Sequence, residues 1–589
     1  MQQKNEYDTS LDFKLLMKVI KLAAPLKGLL FVTILYAIII AVLVPLRPEL
    51  FQRLIDNGIL GEGNNIQLII IAIIVSLIAE TFFQYLFIYS SNLLGQSVVK
   101  DLRTKVFKHV INLKLSYFDK TPIGTTTTRT VNDIETINDI FTQGFIRLIA
   151  DILTLVFIAS WMLVKNWKLA LISMIALPIM VFATYVFKES VKSAFQKVRT
   201  QVALLNAFLQ EHITGMRLVQ IFSAEEQELS KFKEINEKHK KANIEAIWAY
   251  SIFFPVVEIL LAIATGLMVW LGANLLIQNK LFTNSGEIAS VGLIVQFILL
   301  INALFRPIRF MAERFNTMQM GLVAANRVFK LLDRNEFIED NGAIDNKDIE
   351  GKIEFKDVKF AYIGDDYVLK NVSFTIPAGK TLAIVGQTGS GKSSIINLLT
   401  RLYDWQSGDI LLDDISVKDY KIEFYRKQMS TVLQDVFLFS GSVLDNIRLL
   451  NENITEEQVI KASKLIGAHE FIEKLPNGYH YQVMERGATL SLGQRQLISF
   501  VRALVFNPKI LILDEATSSV DTETEYIVQS AIDKLIKDRT SIVIAHRLAT
   551  IKNADYVLML ENGKILDFGE KEVLLNTHDS EFKAFLENH

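Results

Sequence analysis

The chain has 589 residues, half of them hydrophobic, a formal net charge of -2 and no cysteine. That length exceeds a single domain, and a mean hydropathy of +0.29 is foreign to an ordinary soluble protein. The lack of cysteine excludes disulfides, thiolate metal sites and cysteine nucleophiles, and the near-neutral charge gives no electrostatic case for nucleic acid as a partner.

In chain order, residues 1–10 are polar and carry no secretory leader pattern. Leu11, Leu15, Leu16, Val19, Ile20 and Leu22 then recur at helical spacing among Lys14, Lys18 and Lys21. A basic amphipathic helix of this kind suits the membrane surface, so residues 1–27 are read as an elbow helix ahead of the first span. Apolar stretches follow near 28–46, 66–89, 141–164, 169–187, 250–278 and 288–310. Each approaches or exceeds the ~20 residues that cross a ~30 Å hydrocarbon core as helix, which predicts six spans within residues 28–320.

Only Lys165-Asn166-Trp167-Lys168 separates the third span from the fourth. By contrast, 92–140 and 188–245 are long and rich in Lys and Arg, among them Lys100, Arg103, Lys105, Lys108, Lys114, Lys120 and Arg129. The positive-inside rule puts both stretches in the cytoplasm, and an even span count puts both termini there too. Their helical periodicity (Val98, Leu102, Val106, Val110, Leu113) predicts membrane helices that run on beyond the bilayer. They turn back near Phe118–Gly124 and Thr214-Gly215-Met216, where Gly and Pro supply the breaks.

Charges inside spans are costly and face a cavity or a partner. Arg147, Arg306 and Arg309 would give a cavity a basic rim, whereas Glu80 and Glu258 would suit a cation. Pairing of Arg147 with Asp151, one turn away, is the plain structural alternative. Phe297, Phe305 and Phe310 offer apolar surface beside these charges. Residues 321–350 lose the membrane character and are read as a linker.

From Gly351 to the end, short β-rich runs alternate with helical patterns, which predicts an α/β domain with a largely parallel sheet. The run Thr381–Val385 leads into Gly386-Gln387-Thr388-Gly389-Ser390-Gly391-Lys392-Ser393, and an apolar helix pattern follows from Ser394. This is strand, phosphate loop and helix. Backbone N–H groups turn in around phosphate oxygens, Lys392 reaches the terminal phosphates, and the Ser393 hydroxyl can hold Mg²⁺. A second apolar run, Ile510–Leu513, ends in Asp514-Glu515. Asp514 is placed to hold Mg²⁺ and Glu515 to polarise an attacking water. Gln434 follows the run Ser430–Leu433 and can join the metal shell; His546 follows Ser541–Ala545 and can contact a γ-phosphate, or can be a structural residue.

These motifs, with Leu490-Ser491-Leu492-Gly493-Gln494 and Ser518-Ser519-Val520-Asp521, come in the order of an ATP-binding cassette. The chain resembles an ABC exporter half-transporter over nearly its whole length: a six-span transmembrane domain fused to a P-loop cassette of residues 351–589. The resemblance implies that Tyr362 stacks on adenine, that Gly386 to Ser394, Gln434, Ser491, Gly493, Gln494 and Asp521 bind ATP, and that Glu515 and His546 are catalytic. It implies Ser393, Gln434 and Asp514 as the Mg²⁺ set, and Tyr117–Gly124 as a coupling segment. Leu492 departs from the pattern, since glycine is common there. In such proteins Ser491 and Gly493 address the nucleotide of the opposite cassette, so two chains must assemble. A homodimer is the economical reading, with a heterodimer as the other option.

The resemblance further implies an ATP-driven exporter or flippase for an amphiphilic, lipid-like or drug-like substrate in a bacterial inner membrane, surrounded by lipid. A non-transporting ATP-gated regulator or channel on the same architecture is the alternative, marked by lost hydrolytic residues or a large insertion, neither of which occurs here. Glu515→Gln should leave ATP binding intact and trap closed dimers, with hydrolysis down about 10²- to 10⁴-fold. Near-normal turnover of the purified variant would remove Glu515 from the chemistry.

Overall fold

The computed structural model describes residues 12–59, 65–278, 290–514, 522–545, 551–577 and 580–587. They divide into two compact units, one from Met1–Ile111 and Ile123–Arg334, the other from Asn112–Pro122 and Asn335–His589.

The first unit opens with α1 (Phe13–Leu22), started by the Asp12 carboxylate, which accepts from the N–H groups of Lys14 and Leu15 at 2.9 and 3.1 Å. Leu16 and Val19 are buried while Lys14, Lys18 and Lys21 stay exposed, as an amphipathic surface helix requires. The chain continues through α2 (Lys27–Arg53), α3 (Ile66–Val110) and, after a short excursion, α5 (Ile123–Thr130), α6 (Asn132–Asp139) and α7 (Phe145–Lys165). The excursion carries α4 (Leu115–Lys120), which belongs to the second unit. Next come α8 (Trp167–Met174), α9 (Leu177–Thr214), α10 (Met216–Ile221), α11 (Glu225–Ile277) and α12 (Val291–Leu332).

Among the described residues six helical stretches are long and apolar enough to cross a membrane. The chain is an integral multi-pass membrane protein. The third and fourth spans are joined as tightly as expected: buried Asn166 caps α8 by accepting from Leu169 N at 2.9 Å. The helices run on past their apolar windows and reverse around α4 and at Gly215, as the periodicity predicted.

Two polar clusters join helix ends on the side away from these reversals. Glu49 on α2, 5 % exposed, accepts from Lys165 Nζ of α7 at 2.8 Å and from Gln296 Nε2 of α12 at 2.9 Å. Arg53 closes on the same carboxylate at 3.3 Å. Asp56 accepts from Ser290 Oγ and from Gly292 N, so it tops the first turn of α12. Nearer the reversals, a π-helical turn, Ile140–Gly144, lies between α3 and α12. It is seated against two glycines: a Cβ on Gly95 would stand 3.0 Å from Thr142 Cγ2, and one on Gly321 2.2 Å from Ile140 Cγ1. Arg327 clamps buried Asp133 of α6 with two hydrogen bonds, 2.9 Å from Nε and 2.6 Å from Nη2.

Gly321 is therefore helical and packed, and the linker read over 321–350 begins only after Leu332. Leu322, Ala325, Val328 and Leu331 keep the helical stripe and are buried, so the two cations in that stretch mark its wet face and not its end. Phe297 and Phe305 are likewise buried in the packing of α12 and offer no free surface; Phe310 alone of the three is exposed.

Among the described residues the second unit holds two larger sheets and a small antiparallel pair, Gly441–Ser442 with Gln482–Val483. The strands of the first are β1 (Ile353–Ala361), β2 (Tyr367–Ile376), β4 (Ser407–Leu412) and β5 (Ile415–Ser416), antiparallel in the order β2-β1-β4-β5. The second contains β3 (Thr381–Gly386), β6 (Met429–Val432), β7 (Ile510–Asp514), β8 (Thr540–Ile544), β9 (Tyr556–Glu561) and β10 (Lys564–Glu570) in the order β10-β9-β3-β8-β7-β6. All its pairings are parallel except β9 with β10. Thr381–Val385 and Ile510–Leu513 are buried throughout, the mark of strands covered on both faces. Helices α13 (Lys392–Leu399) and α14 (Leu492–Val505) complete the parts that bear on function.

The glycine contacts make a test. Gly321→Ala inserts a methyl where Ile140 leaves no room, so the melting temperature of the purified protein should fall, the overpacking costing about 1–3 kcal/mol. Gly28→Ala, with nothing within 4 Å of the added Cβ, should not change it.

Candidate functional site

The loop from β3 to α13 turns on glycines in conformations other residues avoid: φ is +148° at Gly386, +86° at Gly389 and +108° at Gly391. Space makes the same demand, since a Cβ on Gly386 would lie 2.2 Å from Leu560 O and one on Gly391 2.7 Å from Leu369 Cδ2. Lys392 is 6 % exposed, and its ammonium donates to Gly386 O at 2.7 Å and Gln387 O at 3.0 Å. The cation is thus held over the loop by the loop's own carbonyls, which phosphate oxygens can replace. Gln387, Thr388, Gly389 and Ser393 are exposed at the rim; Ser390 and Ser394 are buried. Ser394 Oγ bonds Tyr362 OH at 3.1 Å, and Asn397 Nδ2 donates to the same phenol oxygen at 3.1 Å. The Tyr362 ring is fixed edge-on to Phe360 and Tyr403, at centroid separations of 4.6 and 5.0 Å, and stays 37 % exposed.

The parallel sheet brings distant segments to one edge. Asp514 is level with Ile544, and Ile544 with Ile384, two residues before the phosphate loop begins. On the other side Leu513 is level with Val432, so exposed Gln434 leaves β6 at that edge as well. Asp514, Gln434 and Ser393 supply hard oxygen donors that fit Mg²⁺. Glu515, Asp521 and His546 lie outside the described residues.

Ser491 is the N-cap of α14. Its hydroxyl accepts from Gln494 N at 3.2 Å while Gln494 Oε1 accepts from Ser491 N at 3.0 Å, a capping box. The serine proton remains available to an anion, at an end where the helix dipole favours one. Leu492 occupies the first turn without disturbing either bond. Arg495, which sequence reasoning passed over, donates to Leu490 O at 3.0 Å and so fixes the approach to the cap.

The sequence matches the family model of the ABC transporter transmembrane region over residues 30–308 and that of the ABC transporter over residues 369–518. It is 38 % identical to the uncharacterized ABC transporter ATP-binding protein YknV of Bacillus subtilis, with 92 % of this chain and 89 % of the relative covered. It is 37 % identical to the probable multidrug resistance ABC transporter ATP-binding/permease protein YheH of the same organism (85 % and 73 %). It is 33 % identical to the ATP-dependent lipid A-core flippase of Haemophilus influenzae (97 % and 96 %). The chain belongs to the ABC transporter family. It is an ATPase whose hydrolysis drives export across a membrane.

In this ABC transporter the expected coupling segment, Tyr117–Gly124, starts within helix α4, which lies in the cassette unit. Leu113 bridges Phe337, Lys114 N donates to Glu336 O at 2.8 Å, and Lys114 Nζ pairs with Asp404 at 2.8 Å. Tyr117 is fully buried, and Tyr403 OH donates to Asp119. Tyr403 therefore touches both Tyr362 and α4, a role that no sequence motif signals.

The charges among the spans sort themselves by partner. Glu80 meets Arg47 at 3.5 Å and Glu258 meets Arg309 at 2.7 Å. Asp151 is bound by Arg314 at 2.7 Å and not by Arg147, whose guanidinium lies 5.5 Å from the centre of the Phe87 ring. Arg314 escaped the sequence reading because it lies beyond the last apolar window. Tyr362→Ala should weaken ATP binding by about 1–3 kcal/mol, the worth of an aromatic–base stack, while Tyr362→Phe should keep most of the affinity. Titration of both variants with a fluorescent ATP analogue separates the ring from the hydroxyl.

Proposed function

We propose that this ABC transporter exports an amphiphile with an acidic headgroup and works as a homodimer with two ATP sites. The carrying observation is the imbalance of charge among the spans. Glu80 and Glu258 each have an arginine, so neither is left to attract a cationic cargo. Among the described residues neither Arg147 nor exposed Arg306 has a carboxylate within ion-pair distance, and both lie within electrostatic reach of Asp151, already held by Arg314. Relatives named as lipid A-core flippase and as multidrug resistance transporter agree with an amphiphilic cargo.

On this reading Lys392, the loop amides and Tyr362 hold the nucleotide. Ser393, Gln434 and Asp514 hold Mg²⁺, which neutralises phosphate charge when bound. Glu515 orients the attacking water, His546 meets the γ-phosphate, and Asp521 completes the pocket. Ser491, Gly493 and Gln494 serve the nucleotide on the second chain. A second chain also accounts for the reversal around α10, where Ile213 at the end of α9, Leu218, Ile221 and Phe222 stand more than 60 % exposed at the tip of a charged extension; a rimmed apolar patch is the mark of an interaction surface. On this reading the cationic extensions favour the cytoplasmic side for both termini and the cassette, and the bacterial relatives favour a bacterial inner membrane.

Arg147→Gln with Arg306→Gln should reduce ATPase stimulation by anionic lipids in vesicles at least several-fold more than stimulation by hydrophobic cations. Equal loss for both classes, or loss for the cations alone, would reject the acidic headgroup. ATPase that appears only after co-purification with a different half-transporter would reject the homodimer.

A further inference from the structure

Asp151 lies in the first turns of α7, on the helix face of Arg147 one turn earlier. Lys165, at the far end of α7, is roughly 21 Å away along the axis. On α12, Arg306 and Arg314 are eight residues apart, close to two helical turns, and share a face. The two faces meet: Arg314 Nε stands 2.7 Å from Asp151 Oδ2, with side chains 15 % and 13 % exposed. Arg147 and Arg306 both lie within electrostatic range of the same carboxylate. Arg309, between them in sequence, is held by Glu258, and Glu313 is exposed. Three guanidiniums therefore surround the partly buried Asp151, with exposed Glu313 as a second acid within electrostatic range of Arg314, at the end of the spans nearer the helix reversals.

That arrangement is unbalanced in a way that points to a ligand. Guanidiniums gathered beside one another at partly desolvated Arg314 repel unless anions offset them, and Asp151 with exposed Glu313 leaves three cations facing two acids. A headgroup bearing one or two negative charges restores the balance, with planar donors suited to phosphate or carboxylate oxygens. We propose that Asp151 is the specificity-determining residue of this transporter, an internal counter-ion that holds Arg314 until an acidic headgroup takes its place. The proposal rests on the acidic-headgroup reading and adds a role for Asp151, the acid that is mostly buried and in ion-pair contact with Arg314. Asp151 limits the positive surplus, so it weakens capture of the anion and, by re-forming its pair with Arg314, helps the headgroup leave. A transporter needs both, since a site that binds too tightly does not turn over.

The experiment measures binding of dioctanoyl phosphatidic acid, and of the cationic dioctanoyl ethylphosphocholine with the same chains, to the purified full chain without nucleotide. ATPase turnover at saturating phosphatidic acid is the second readout. Asp151→Asn should tighten phosphatidic acid several-fold, leave the cation unchanged or weaker, and lower turnover, a split between affinity and rate that a packing defect would not produce. Asp151→Glu should restore wild-type behaviour, and Arg314→Gln should weaken phosphatidic acid alone. Weaker or unchanged phosphatidic acid binding in Asp151→Asn would overturn the counter-ion. Should the Arg147→Gln, Arg306→Gln variant bind phosphatidic acid as the wild type does, the acidic-headgroup reading fails and the counter-ion with it. Loss in that variant without tightening in Asp151→Asn removes the counter-ion alone. Glycerol phosphate and inorganic phosphate should not compete at equal concentration; full competition would mark a site for free phosphate and overturn the amphiphile.

Discussion

Hydrocarbon offers the backbone no hydrogen bonds, and that constraint organises the membrane unit. Each crossing must satisfy its N–H and C=O groups internally, so the chain crosses as helix and defers irregular structure to the ends. Of the six crossings, four stretches exceed 42 residues, because once a helix has paired its own backbone nothing stops it at the bilayer surface. The polar work then concentrates where helices end or meet. Glu49 and Asp56 join the ends of α2, α7 and α12 on one side. Asp133 and Asp151 bind α12 toward the other. Breaking such a buried pair leaves an uncompensated charge, at a cost on the order of 3–5 kcal/mol.

The cassette solves a different problem: gathering residues far apart in sequence. A parallel sheet does so by geometry, since every strand ends at the same edge. The register that levels Ile384, Ile544 and Asp514 sets an acid two strands from the phosphate loop. The glycines bend the loop sharply, and the close approach of Leu560 O and Leu369 to Gly386 and Gly391 shows that the bend also needs room.

Much of this was legible in the chain alone. Span positions, the two reversals, the phosphate loop, the parallel strands and the serine cap all express local rules of hydropathy, glycine chemistry and capping. Non-local facts were not legible. The extension of α12 through Gly321 to Leu332 depends on the π-helical turn that Gly321 packs against. The choice of Arg314 over Arg147 by Asp151 depends on which face of α12 meets α7. The antiparallel sheet of β1, β2, β4 and β5 lay hidden because its strands are irregular, with bulges between Phe355 and Ala361.

The placement of α4 bears on how ATP and transport are joined. The chain passes from the membrane unit into the cassette unit at Ile111–Asn112 and returns at Pro122–Ile123, so α4 belongs to the cassette unit while α3 and α5 belong to the membrane unit. Its fastening is distributed: a β-bridge and a backbone bond to the segment after α12, an ion pair to Asp404, a hydrogen bond from Tyr403 and a buried Tyr117. Phe337 lies five residues beyond the end of α12, and short connections join α4 to α3 before it and to α5 after it. Asp151, Arg147 and Arg314 sit on α7 and α12, and α5 leads into α7. The Asp151–Arg314 pair thus joins the helix that α5 leads into to the helix that ends five residues before Phe337.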